Sequence, residues 1–174
     1  MARLGHHMET GLCKEPKMST RINLPETSKS RYLGGMGALN LPSTTGTGDW
    51  HMEQTFFRPR EKQSRSFISG TGCQTDTNHV LGDAGIYDCT AILGELGIPH
   101  EGSVAYAANH ARAIADLVIA AVLRGESPDF VVMDDWMPRD EDKKQVFDLL
   151  GKAIKHLTAE QQRKVLEWNR KNAT

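Results

Sequence analysis

A chain of 174 residues, 39% apolar and 25% charged with a formal net charge of −1, carries enough apolar material for a packed core and too little net charge to bind nucleic acid by charge alone. Its longest apolar run, residues 113–123, is interrupted by Asp116 and falls short of the roughly 18 apolar residues that a membrane-crossing helix needs. The charge is uneven: residues 1–80 hold 10 Lys/Arg against 7 Asp/Glu and residues 81–174 hold 11 against 15, so two chemically different surfaces are expected on one body.

Residues 1–17 read as a disordered, solvated tail without the apolar segment of a signal peptide, ahead of a natural start at Met18. Residues 18–174 read as one α+β domain, with a glycine-rich β and loop half (18–80) and a helical half (81–174). Cys13, Cys73 and Cys89 are well separated and form no C-x-x-C pair. Three such cysteines in a chain without a signal read as free thiols in a reducing, cytoplasmic setting.

In the first half, "TRINLPE" runs extended into Pro25 and "ALNLP" (38–42) is a short extended piece ending at Pro42. "WHMEQTFF" (50–57) and "SRSFISG" (64–70) are the predicted strands, from alternation and aromatic content between Gly48 and Pro59. The polar "RPREKQ" between them reads as a hairpin loop. In the second half, apolar spacing predicts a helix over 84–96, stopped by Gly97 and Pro99, and a long, alanine-rich, central helix over 103–124 closed by Gly125. "FVVM" (130–133) is a β-branched run that predicts one more strand. An amphipathic helix follows over 141–157. Thr158 and Gln161 then form a capping box for a last helix, 159–171, with Val165 and Trp168 inward. The sum is a small, mostly antiparallel sheet from the N-terminal half packed against about four helices from the C-terminal half.

Chemistry concentrates in "GDWHMEQTF". On a strand, Asp49, His51 and Glu53 share one face. Carboxylates flanking an imidazole can take a divalent cation or pair a general base with its orienting acid. The competing reading is the solvent face of a half-buried strand. No nucleotide motif is present: three G-x-G pairs, at 35–37, 46–48 and 70–72, lack the third glycine of a dinucleotide fingerprint and the Gly-Lys-Ser/Thr of a phosphate loop. His51-Met-Glu53 lacks the P-C-x-x-C that a zinc deaminase requires, and His100-Glu101 does not extend to H-E-x-x-H.

Two charged runs complete the inventory. Arg58, Arg60, Lys62 and Arg65 form a basic run suited to phosphate or carboxylate. Residues 129–142 hold six acids against Arg139, with Asp134 and Asp135 beside Trp136 and among Met133 and Met137. Aromatic and Met residues among acids suit an interface core with a charged rim. The function expected is a small regulatory or interaction protein, antitoxin-like or inhibitory, docking its Trp136 edge on a basic nucleic-acid enzyme. The alternative is a hydrolase or transferase built on Asp49, His51 and Glu53, and nucleic-acid binding through the arginines ranks third.

Overall fold

The computed structural model describes residues 22–49, 51–57 and 67–173, without the side chains of Glu53 and Gln54. Its frame is set at Asn109. The side chain of this residue accepts the Arg112 amide at 2.8 Å, which caps a helix over His110–Leu123 and divides the predicted helix 103–124 in two. Ahead of the cap, Tyr106–Ala108 is a strand; behind it, twelve residues of the helix are buried. A helix apolar on nearly every side belongs at the centre of a core, and here it is the central element.

In chain order the strands are β1 (Arg31–Leu33), β2 (Ile68–Gly70), β3 (Ile86–Asp88) and β4 (Tyr106–Ala108). The helices are α1 (Gly35–Leu39), α2 (Asn78–Leu81), α3 (Thr90–Leu96), α4 (His110–Leu123), α5 (Asp140–Ile154) and α6 (Ala159–Asn172). The sheet runs β2-β1-β4-β3. β1 meets β2 antiparallel with Tyr32 opposite Ser69, and β3 meets β4 antiparallel with Tyr87 opposite Ala107. β1 and β4 pair in parallel through Leu33 and Ala107. This is the expected α+β class with a mostly antiparallel sheet.

Alternation along the strands serves two cores. Tyr32, Ala108 and Ile86 face α4, α5 and α6, while Leu33, Ala107 and Tyr87 face Leu24, Leu41, Phe56, Cys89, Leu93 and Ile98. Successive side chains point to opposite faces of a strand, and both faces are apolar here. Such strands carry no polar-apolar alternation to be read.

Four further predicted elements differ. Residues 86–88, assigned to a helix by their spacing, form β3, because Gly85 takes φ +77° against Arg112 and the Asp88 carboxylate holds the Thr90 amide at 2.9 Å. That side-chain turn delays the helix until α3, which then ends at Gly97 in the left-handed region as expected. Residues 38–42 are not extended, since α1 turns through Gly35–Leu39. "FVVM" is not a strand: Val131 turns back on Pro128 and Met133–Asp135 is a single 3₁₀ turn. Finally, Glu53–Phe57 is a π-helical turn rather than a strand, with the Thr55 amide on the His51 carbonyl at 3.0 Å. Phe56 is buried by it, 6.1 Å from the Phe67 ring. The predicted loop 58–65 and the tail 1–17 lie outside the described residues. Among the described residues no helix is long and apolar enough to cross a membrane.

Candidate functional site

The loop from Leu41 to Asp49 is dense in hydroxyls and glycines, and it closes over the start of α4. Ser43 Oγ accepts the amides of Thr45 and Thr47 at 3.2 and 3.3 Å and lies 2.9 Å from Thr47 Oγ1. Thr47 Oγ1 in turn lies 2.7 Å from His110 Nδ1. On the far side of the ring, Nε2 is 2.8 Å from the Leu41 carbonyl. A carbonyl only accepts, so Nε2 carries the hydrogen and the neutral ring presents Nδ1 as an acceptor to the Thr47 hydroxyl. Burial pushes the His110 pKa below the ordinary histidine value, with the carbonyls of Leu41, Ala38 and Thr47 opposing, so the ring is held neutral.

Gly48 makes this closure possible. It sits at φ +107°, and a Cβ there would lie 2.4 Å from His110 Cε1 and 2.5 Å from the Leu39 carbonyl oxygen. Only glycine passes so close to the ring in that conformation. Its amide donates to the Trp136 carbonyl at 3.0 Å, and the next amide, of Asp49, donates to Leu39 at 2.8 Å.

Beside the His110–Thr47 pair opens a cleft of about 400 Å³. Its lining combines polar Ser43, Thr45, Thr47 and Asn109 with apolar Ile86, Tyr87, Ile92 and Met137. Two of its lining residues, Thr45 and Asp142, are tied together by Arg139, which donates through Nη2 to the Thr45 carbonyl at 2.8 Å and pairs with Asp142 at 2.8 Å. Burial pushes the Tyr87 hydroxyl up to about 12, so that residue stays neutral.

Of the predicted trio, the structure brings two together. Asp49 Oδ1 lies 2.6 Å from His51 Nδ1, with the histidine 68% and the aspartate 14% exposed. The strand that was to align Glu53 with them is absent, and its side chain lies outside the described account. Among the described residues no group of three or more His, Cys, Asp and Glu is placed to hold a metal. Arg58, Arg60, Lys62 and Arg65 also lie outside the described residues.

The acidic edge is described in full. Trp168 Nε1 donates to the Val131 carbonyl at 2.8 Å, and Asn172 Oδ1 accepts the Met133 amide at 3.1 Å. These bonds from α6 pin the segment so that Val131 and Met133 are buried while Phe130 is 60% and Val132 45% exposed. Asp129 pairs with Lys171 and Asp134 with Lys143, at 3.1 and 2.5 Å. Asp135 is exposed and Trp136 half-buried against the main core.

One polar cluster was not anticipated from the sequence. Arg112 and Asp116, one turn apart on α4 and fully buried, pair at 2.7 Å. Tyr32 donates to Asp116 at 2.6 Å, Thr77 donates to the other oxygen, and Arg112 Nη1 donates to the carbonyls of Gly82 and Ala84 at 2.9 and 2.6 Å. Burial pushes the Asp116 carboxyl upward, and Arg112 is the largest opposing influence. The only local hint was Asp116 interrupting an apolar run.

No protein-family model, no curated protein and no solved structure matches this chain.

Proposed function

We propose that the chain is an interaction protein that docks the edge from Asp129 to Met137 on a basic protein surface, as an inhibitor or neutralising partner of a nucleic-acid enzyme does. The carrying observation is the exposure of Phe130 and Val132 on a backbone clamped by Trp168 and Asn172. Two apolar side chains held outward between aspartates match an interface with an apolar centre and a charged rim. Clamping also lowers the ordering cost of association. Asp135 and Asp140 are exposed, so their field is available to steer a cationic partner. A cytoplasmic setting goes with this reading: Cys73 and Cys89 are free thiols, and burial pushes the Cys89 thiol up to about 11, which leaves it an inert core residue.

The test is recovery of the tagged full-length chain from its native cell alongside Phe130→Ser/Val132→Ser and Asp134→Lys/Asp135→Lys double variants. A basic protein recovered in near-equal amount with the unaltered chain, and lost from both variants at matched ionic strength, supports the proposal. A stoichiometric partner retained equally by both variants overturns it.

A further inference from the structure

Independently of that edge, the geometry points to acyl transfer at the cleft: we propose that Thr47 Oγ1 is a nucleophile activated by His110 Nδ1, acting on esters with a short apolar acyl group. Four observations converge. The hydroxyl and its base are 2.7 Å apart, within the reach that proton abstraction needs. The ring is held at the other nitrogen by the Leu41 carbonyl at 2.8 Å, which fixes its tautomer much as a carboxylate orients the histidine of a hydrolase triad. Thr47 is half-buried, not sealed, and faces a cleft of about 400 Å³. That cleft offers apolar lining from Ile86, Ile92 and Met137 for an acyl chain, and Asn109, His110 and Ala111 line it too. The Asn109 amide is taken by the Gly85 carbonyl at 2.7 Å, while His110 and Ala111 open α4, and amides in the first turn of a helix have no intrahelical partner and are oriented donors for a developing oxyanion.

The reaction balances on these groups. Thr47 Oγ1 bonds to the ester carbonyl carbon while its proton passes to His110 Nδ1. The tetrahedral adduct collapses, the bond to the alcohol oxygen breaks, and Nδ1 returns its proton to that leaving oxygen. Water then attacks the acyl-Thr47 ester and gives a proton to Nδ1. Expulsion of Thr47 Oγ1, which takes that proton back, releases the carboxylic acid. In the imidazolium stage Nε2 keeps its hydrogen bond to Leu41, so that the ring stays in place throughout.

A purely architectural pair, tying the loop to α4, would show the same two hydrogen bonds in the resting protein. The measurement is therefore chemical. The full-length chain is treated with p-nitrophenyl butyrate and, separately, with a fluorophosphonate probe, and adducts are mapped by peptide mass spectrometry. The expected result is acyl or phosphonyl modification at Thr47 and a release of p-nitrophenol that Thr47→Val abolishes and Thr47→Ser retains. His110→Gln is expected to lower the rate by at least about 100-fold, the lower end of what a general base contributes. Absence of any adduct at Thr47 in the unaltered folded protein, a result that depends on no variant folding, overturns the proposal. So does equal release by the Thr47→Val protein.

Discussion

Two polar clusters sit at the start of α4 two residues apart, and they differ in one respect. Arg112 and Asp116 are sealed, with Tyr32, Thr77 and two backbone carbonyls closing every side. His110 and Thr47 are satisfied just as fully but border a cleft. A buried, completely paired ion pair adds little net stability, yet losing one partner strands a charge. A paired hydroxyl and imidazole open to a cavity can exchange one partner for a substrate. Access, more than hydrogen-bond quality, separates architecture from chemistry here.

The largest expected effect breaks the sealed cluster. Asp116→Ala leaves Arg112 without its carboxylate and should cost about 3–5 kcal/mol in urea denaturation, while acylation of Thr47 per folded molecule stays unchanged. Loss of labelling in the folded fraction would mean that the two clusters are coupled along α4. Next in size is Gly48→Ala. Its Cβ would meet the His110 ring and the Leu39 carbonyl, an overpacking cost of about 2 kcal/mol, visible as a lower midpoint and a shifted His110 ring resonance. An unshifted ring resonance would show that the loop yields instead of the histidine.

Outside both clusters, Thr158→Ala removes one arm of a capping box, the Gln161 amide on Thr158 Oγ1 at 3.3 Å, and leaves the other, from the residue 158 amide to Gln161 Oε1 at 2.9 Å. It should cost about 1 kcal/mol and leave both clusters as they were, since no residue of α6 lines the cleft; a change in Thr47 labelling would show that α6 acts on the cleft at a distance. The smallest effect is one of pH. His110 has a folded pKa below its unfolded value near 6.5, because burial disfavours its charge. Its contribution is therefore complete above that unfolded value and is lost as pH falls. Melting temperature measured from pH 7 to 5 should fall less steeply for His110→Gln than for the unaltered protein. Equal slopes would show a ring that titrates as freely folded as unfolded.

The helical half was largely legible because its signals are local. The stripe of Val146, Leu149 and Leu150, the Thr158–Gln161 box, and Val165 with Trp168 are where their spacing placed them. The strands were not, including the two that fall within 81–174. Residues 86–88 and 106–108 share the apolar spacing of helices, and their separation from α3 and α4 turns on single side-chain bonds to backbone amides, the Asp88 turn and the Asn109 cap. "FVVM" alternates as a strand does, and its alternation is real, with Val131 and Met133 in and Phe130 and Val132 out. Its polar partners come from α6 instead of from a sheet. At the site, Asp49 Oδ1 and His51 Nδ1 lie 2.6 Å apart, and a π-helical turn over Glu53–Phe57 stands where the strand was expected.

The sequence alone determined the α+β class, the presence of the last two helices and the capping box of α6, the central position of the alanine-rich helix, and the acidic character of the edge around Asp134 and Asp135. Each depends on periodicity or composition within a few turns of chain. Only the tertiary structure decided that Thr47 meets His110, 63 residues away, and that Tyr32 closes on Asp116 across 84. No local propensity encodes such contacts. They arise when the two faces of the sheet bury their apolar residues, and that burial brings the Leu41–Asp49 loop down onto the first turn of α4.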